Sequence, residues 1–115
     1  KEHNIKINKS KILLLGATFK ENTTDIRNSK ALTIANQLVK KKAELIIYDP
    51  FLKIKSIKNL KISKIYPKDK KFDVIILAVK HKEFKSLTPV NFLSKRGFVY
   101  DIKNLFKRHR RIYNL

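Results

Sequence analysis

The chain has 115 residues, 43% of them hydrophobic and 32% charged, which suits one globular domain with one core. It contains no cysteine, so a disulfide framework, a thiolate nucleophile and a Cys-based metal site are all excluded. The formal net charge is +19, and no apolar run approaches the length that crosses a bilayer.

Residues 1–10, "KEHNIKINKS", are polar and start at Lys1 without a secretory signal pattern. They read as the remnant of a linker from a preceding domain, with the domain proper at 11–115 and the whole as a piece of a longer protein. The expected location is cytoplasmic. "KILLLG" is a continuous apolar run ending at Gly16, the pattern of a strand buried on both faces. A polar loop follows, and Ser29 offers a hydroxyl N-cap for a helix. In "SKALTIANQLVKKK", Ala31, Ile34, Ala35 and Leu38 share one helical face. Lys40, Lys41 and Lys42 fall in the last turn, where they suit the helix dipole. "AELIIYDP" is a second apolar strand stopped by Pro50. Between them, Leu52 and Leu60 bound a short helix, and "KISKIYP" reads as a short edge strand. "FDVIILAV" is the clearest strand. "HKEFKSL" and "PVNFLS" read as helical turns, and "GFVYDI", set off by Gly97, as the last strand. The tail "KNLFKRHRRIYNL" is expected to be a loop or short helix.

Apolar strands alternating with helical connections imply an α/β fold: a single Rossmann-like, doubly wound domain with a mainly parallel sheet. Ligands of such sheets bind at the carboxyl ends of the strands, here after Gly16, Tyr48, Val79 and Tyr100. The loop from Gly16 to Ser29 lies there and leads into a helix N-terminus, a place that favours anions. Lys20 supplies a point charge and Arg27 a planar fork suited to phosphate or carboxylate. Bland readings stand beside these: Lys20 is one of many lysines, Phe19 could be core, and Asp25 and Arg27 could pair locally. Asn22, Thr23 and Thr24 are ordinary loop formers. The loop lacks the G-x-G-x-x-G pattern of a dinucleotide turn. Lysine is scattered through every segment, and only Lys107–Arg111, "KRHRR", is a dense basic cluster. A basic nucleic-acid-binding module is therefore an alternative, though no aromatic-rich RNA motif or zinc pattern accompanies it.

The stretch "GATFKENTTDIRNS" resembles the signature of nucleotide-sugar 6-dehydrogenases in their C-terminal UDP-binding domain, a pattern close to G-x-x-F-K-x-x-x-x-D-x-R-x-S. "YDPF", "DVIILAVKHKEFKSL" and "VYDIKNLF" are similar to further family segments, so the resemblance covers nearly all of the chain. It is greatest to the branch that oxidises UDP-N-acetylhexosamines for bacterial surface polysaccharides, the Vi-polysaccharide type. The resemblance implies an enzyme with an N-terminal NAD domain, a central helical domain and this C-terminal domain. That enzyme oxidises the C6 alcohol of a UDP-hexose or UDP-N-acetylhexosamine to a carboxylate, with a catalytic cysteine and NAD bound mainly outside this chain.

On that reading Phe19, Lys20 and Lys103 contact the UDP-sugar, and Arg27 reaches toward the NAD. Asp25 and Ser29 are structural: Asp25 braces the loop and Ser29 caps the helix. His81 matches a family histidine and is read as a helix-start residue. No catalytic residue and no metal ligand is expected here, so the chain alone should not catalyse. Ala17 and Asn104 depart from the family, which usually has a larger apolar residue and Gly there. Expected partners are a UDP-sugar and the rest of the same polypeptide, with a homodimer for the full-length protein and neither membrane nor nucleic acid. A stand-alone nucleotide sensor on the same fold is a further alternative.

Overall fold

The computed structural model describes residues 8–18, 26, 29–52, 56–57, 60–63, 66–67 and 69–114. Strand β1, Lys11–Leu15, lies in the middle of the sheet. Its alternate side chains point to opposite faces, and both faces are covered: Ile12 and Leu14 join one core cluster, Leu13 and Leu15 the other. That is why the run "ILLL" carries no polar interruption.

Helix α1, Lys30–Lys40, packs Ala31 and Ala35 flat against the first face, with Leu32, Ile34 and Leu38 beside them. The two alanines let the helix approach closely. The helix stops at Lys40, short of Lys41 and Lys42. Lys42 takes a left-handed conformation (φ 69°). The Lys42 and Ala43 N–H groups then donate back to the carbonyls of Val39 and Leu38, a Schellman closure built on lysine where glycine is usual.

Strand β2, Glu44–Tyr48, pairs parallel with β1. Next come β3, Ser56–Ile57, and β4, Leu60–Ser63, which pair antiparallel with each other, while β4 runs parallel to β2. The helix expected from Leu52 to Leu60 is therefore replaced, where described, by a hairpin. Ile57 and Leu60 stand three apart and fit a helical stripe as well as a hairpin. The alternation of Leu60, Lys61, Ile62 and Ser63 decides it, with Leu60 and Ile62 buried and Lys61 exposed.

Strand β5, Phe72–Leu77, returns to the other side of β1, and β6, Leu93–Asp101, pairs parallel with β5. Between them are two 3₁₀ turns, Lys82–Ser86 and Pro89–Phe92. β6 begins before Gly97, with a register shift opposite Phe72 and Val74. Gly97 lies inside the strand, where an added Cβ would sit 2.7 Å from the Phe72 carbonyl oxygen. Nor is β6 the last strand. The tail, expected as a loop or short helix, supplies β7, Ile112–Asn114, parallel to β6. Arg111 fixes it there, its guanidinium donating to the carbonyls of Ser94 (2.5 Å), Lys95 (3.2 Å) and Gly97 (2.8 and 3.0 Å).

The described residues thus form a seven-stranded sheet, ordered β3-β4-β2-β1-β5-β6-β7, antiparallel only at the β3 edge. The chain builds outward from β1 through β2, then crosses back to β5. The exit between β1 and β5 is consequently the switch point of a doubly wound sheet. The second face carries no α-helix among the described residues. An aromatic group fills it: Tyr66 meets Tyr48 edge-on (5.4 Å) and Phe92 (4.7 Å), and Tyr48 meets Phe84 (5.6 Å).

Gly16 needs its missing side chain. Its φ is +98°, and an added Cβ would fall 2.6 Å from Val79 Cβ, so β1 can turn only by touching the β5 exit. Gly16→Ala is expected to cost about 1–3 kcal/mol in stability, read from urea unfolding.

Burial pushes the Tyr66 phenol well above its usual range, with Tyr48 adding to the effect, and among the described residues the Tyr66 hydroxyl has no hydrogen-bond partner. The unfolded phenol ionises near pH ~10 and the folded one later, so stability is complete below about pH 10 and falls above it. Tyr66→Phe should match or exceed the parent at neutral pH and flatten that alkaline fall. Urea midpoints at pH 8 and at about pH 11 check both points.

Candidate functional site

The carboxyl ends of β2, β1 and β5 stand side by side, and a buried polar cluster joins them. Asp49, directly after β2, accepts the Ala17 N–H at Oδ2 (2.8 Å) and the Phe51 N–H at Oδ1 (2.9 Å). Gly16 N–H donates to the Tyr48 carbonyl (2.9 Å), so the exits of β1 and β2 are bonded twice. His81, after β5, brings Nε2 to 3.1 Å from Asp49 Oδ2 and 3.2 Å from Thr18 Oγ1. An ionised Asp49 offers only lone pairs, so His81 Nε2 carries the proton shared between them. Thr18, Asp49 and His81 are all fully buried. The imidazole packs on Phe51 (4.5 Å between ring centres) and Phe84 (5.4 Å).

Ser29 stands at the far end of the same loop. Its Oγ accepts the Leu32 N–H (3.2 Å), capping α1, and donates to the Ala17 carbonyl (2.8 Å), with the Thr18 carbonyl at 3.4 Å beside it. One hydroxyl therefore closes the helix and ties the two ends of the loop together. Ile26, half-buried, packs against the first core cluster. Phe19, Lys20, Asp25 and Arg27 lie outside the described residues.

Lys103 is exposed in the turn that leaves β6. Three contacts shape that turn. Ile102 N–H donates to the Leu77 carbonyl (3.1 Å), Phe106 N–H donates to Asp101 Oδ2 (2.7 Å), and Asn114 Nδ2 donates to Asn104 Oδ1 (2.9 Å). Asn104 adopts φ 57°, a conformation that Gly takes freely and Asn tolerates. Asp101 is fully buried, and its Oδ1 has no partner among the described residues.

His81 stands before the first 3₁₀ turn but makes no side-chain cap there; its ring turns inward to Asp49 instead. The importance of Asp49 and Thr18 was missed from sequence. The available signal was an Asp closing an apolar strand: a carboxylate buried there must find N–H donors. Within the basic cluster, Arg111 is spent on the backbone of β6, while Lys107, Arg108, His109 and Arg110 are exposed. Among the described residues no group of three His, Cys, Asp or Glu could hold a metal ion, and no helix is long and apolar enough to cross a membrane.

A family model described as "UDP-glucose/GDP-mannose dehydrogenase family, UDP binding domain" matches residues 13–108, and the chain belongs to that family. It is 35% identical over 106 residues to a UDP-N-acetyl-D-glucosamine 6-dehydrogenase of Pseudomonas aeruginosa, covering 88% of this chain and 25% of that protein. It is 32% identical over 109 residues to the UDP-N-acetyl-D-glucosamine 6-dehydrogenase of Salmonella typhi, covering 86% and 24%. The chain thus spans about a quarter of the length of these relatives. Among solved structures, the fold matches an NDP-N-acetyl-D-galactosaminuronic acid dehydrogenase from Methanosarcina mazei with a TM-score of 0.80 at 21% identity, over 92% of this chain and 23% of that one. The UDP-N-acetyl-mannosamine dehydrogenase Cap5O of Staphylococcus aureus matches at 0.73 and 25% identity, over 91% and 25%.

Ser29→Ala removes the cap and the tie to Ala17 together. It is expected to cost about 1–2 kcal/mol in urea unfolding, with Ser29→Thr recovering most of the loss.

Proposed function

We propose that this chain is the UDP-sugar-binding C-terminal domain of an NAD-dependent nucleotide-sugar 6-dehydrogenase. The whole enzyme would oxidise the C6 alcohol of a UDP-N-acetylhexosamine or UDP-hexose to a uronate for surface polysaccharide synthesis, in the cytoplasm and as a homodimer. Residues 11–115 are the domain, and 1–10 the remnant of the link to the preceding one. The observation that carries the reading is the match of residues 13–108 to the family's UDP-binding domain. It is supported by where the fold puts the signature loop, at the switch point of a parallel sheet.

Phe19 and Lys20 contact the UDP-sugar from that loop, and Lys103 meets it from the neighbouring β6 exit. The two lysines offer point charges to a diphosphate, while Phe19 offers an apolar face. Asp25 braces the loop and Ser29 caps the helix behind it. The same β1–α1 turn does not fit a dinucleotide cradle. Its single glycine, Gly16, is packed against Val79, so the space where a Cβ would stand is filled by the chain itself. NAD is accordingly held mainly by a domain outside this chain, with Arg27 reaching toward it. With no cysteine, the chain supplies no thiolate, and its part in the reaction is to bind and orient the nucleotide sugar.

Titration of the 115-residue chain with UDP and UDP-N-acetylglucosamine, followed by NMR, should shift amides in 16–29 and 101–104. Lys20→Ala and Lys103→Ala should each weaken binding about 5- to 30-fold, the worth of a charge-assisted contact at a partly exposed site. Shifts confined to Lys107–Arg111, with nucleic acid bound equally well and lost steeply with salt, would instead favour the basic nucleic-acid module.

A further inference from the structure

We infer that His81 is a positioning residue for the nucleotide site: through Asp49 and Thr18 it sets the pose in which β1 hands the chain to the signature loop. This rests on the reading of that loop as the UDP-sugar site. His81 comes from the β5 exit and Asp49 from the β2 exit, which flank β1 on opposite sides in the sheet. Their contact therefore passes over the end of β1. The two groups at that end, Ala17 N–H and Thr18 Oγ1, are the ones they hold. Thr18 immediately precedes Phe19 and Lys20 in the chain.

The cluster is rigid for two physical reasons. It is fully buried, so water does not compete for its bonds. The imidazole also packs on the rings of Phe51 and Phe84, which restrain the direction of its Nε2–H. Asp49 accepts from Ala17 and His81 on one oxygen and from Phe51 on the other. Without the imidazole N–H, Oδ2 keeps the Ala17 N–H but is short of a donor in a dry site. The carboxylate then gains by drawing water or another N–H inward, which moves the exit of β1. A wholly structural histidine would lower stability and leave the affinity of folded molecules unchanged. A positioning histidine lowers that affinity as well.

The test uses the 115-residue chain at temperatures well below unfolding. His81→Leu keeps apolar bulk and removes the N–H, whereas His81→Gln places an amide N–H where Nε2 stands. His81→Leu should weaken UDP binding about tenfold, with His81→Gln within about threefold of the parent. In the free protein, His81→Leu should also shift the amide resonances of 17–28 and speed hydrogen exchange at Ala17, both restored by Gln. Thr18→Val, which spares the Asp49–His81 contact, provides the second variant should His81→Leu fail to fold. It should shift the same amides and weaken UDP about threefold.

Unshifted 17–28 amides, or parental UDP affinity in folded His81→Leu, would overturn the proposal. If His81→Leu does not fold, the same results in Thr18→Val overturn it. If the parent itself binds no UDP, the reading of the site fails, and the amide and exchange readouts still decide whether His81 sets the loop.

Discussion

The carboxylate of Asp49 is the interaction on which the functional edge depends. It sits fully buried at the end of β2 and accepts N–H groups from the chain leaving β1, from its own turn and from the imidazole after β5. Three strand exits are thereby held in one fixed relation. A parallel sheet leaves the last N–H groups of its strands without ladder partners, and a carboxylate of four lone-pair sites can satisfy several of them at once. Had the position been filled by an apolar residue, Ala17 and Phe51 would have lost those partners, and the start of the loop would have kept only the Gly16–Tyr48 bond and the Ser29 tie.

The same economy governs the other acids. The chain has 28 basic residues against 9 acidic ones, so carboxylates are scarce and surface ion pairs could stabilise it little. Three of the nine act on local chain geometry instead. Asp49 organises the exits of β1, β2 and β5. Asp101 takes the Phe106 N–H and shapes the turn that bears Lys103. Asp73, at the opposite end of the sheet, takes the Lys11 N–H (2.9 Å) and the Ser94 hydroxyl (2.7 Å). The excess of positive charge stays on the surface, where it attracts anions generally.

The arrangement also explains why a domain of a dehydrogenase can be built without a reactive thiol. On the reading proposed above, its work is to present one wall of a site, with a loop after β1 and a turn after β6, while Thr18, Asp49 and His81 join the exits of β1, β2 and β5. The second face of the sheet, closed by aromatic rings, two 3₁₀ turns and the Arg111 clasp, gives that wall a stiff backing. Arg111 directs its guanidinium to three backbone carbonyls, which holds the charge of one of the five members of the basic cluster against β6.

Much of this was legible in the chain itself. The continuous apolar runs at Ile12–Leu15 and Val74–Leu77 read as strands covered on both faces, and all but the half-buried Val74 are buried. Ser29 before an amphipathic stretch marked a helix start, and a signature loop between the two marked the family. Local pattern failed where the deciding contacts come from far along the chain. Ile57 and Leu60 suit a helix until β2 offers β4 a partner. Ile112–Asn114 is too short to declare itself a strand until β6 and the Arg111 clasp supply its edge. The residue types at Thr18, Asp49 and His81 were plain from the start. Their union was not, because it joins residues 31 to 63 positions apart, through a sheet order in which β1 stands between β2 and β5. Sequence settled which groups were present and which strands were buried; only the tertiary structure brought three of those groups to one buried point at the exits of β1, β2 and β5.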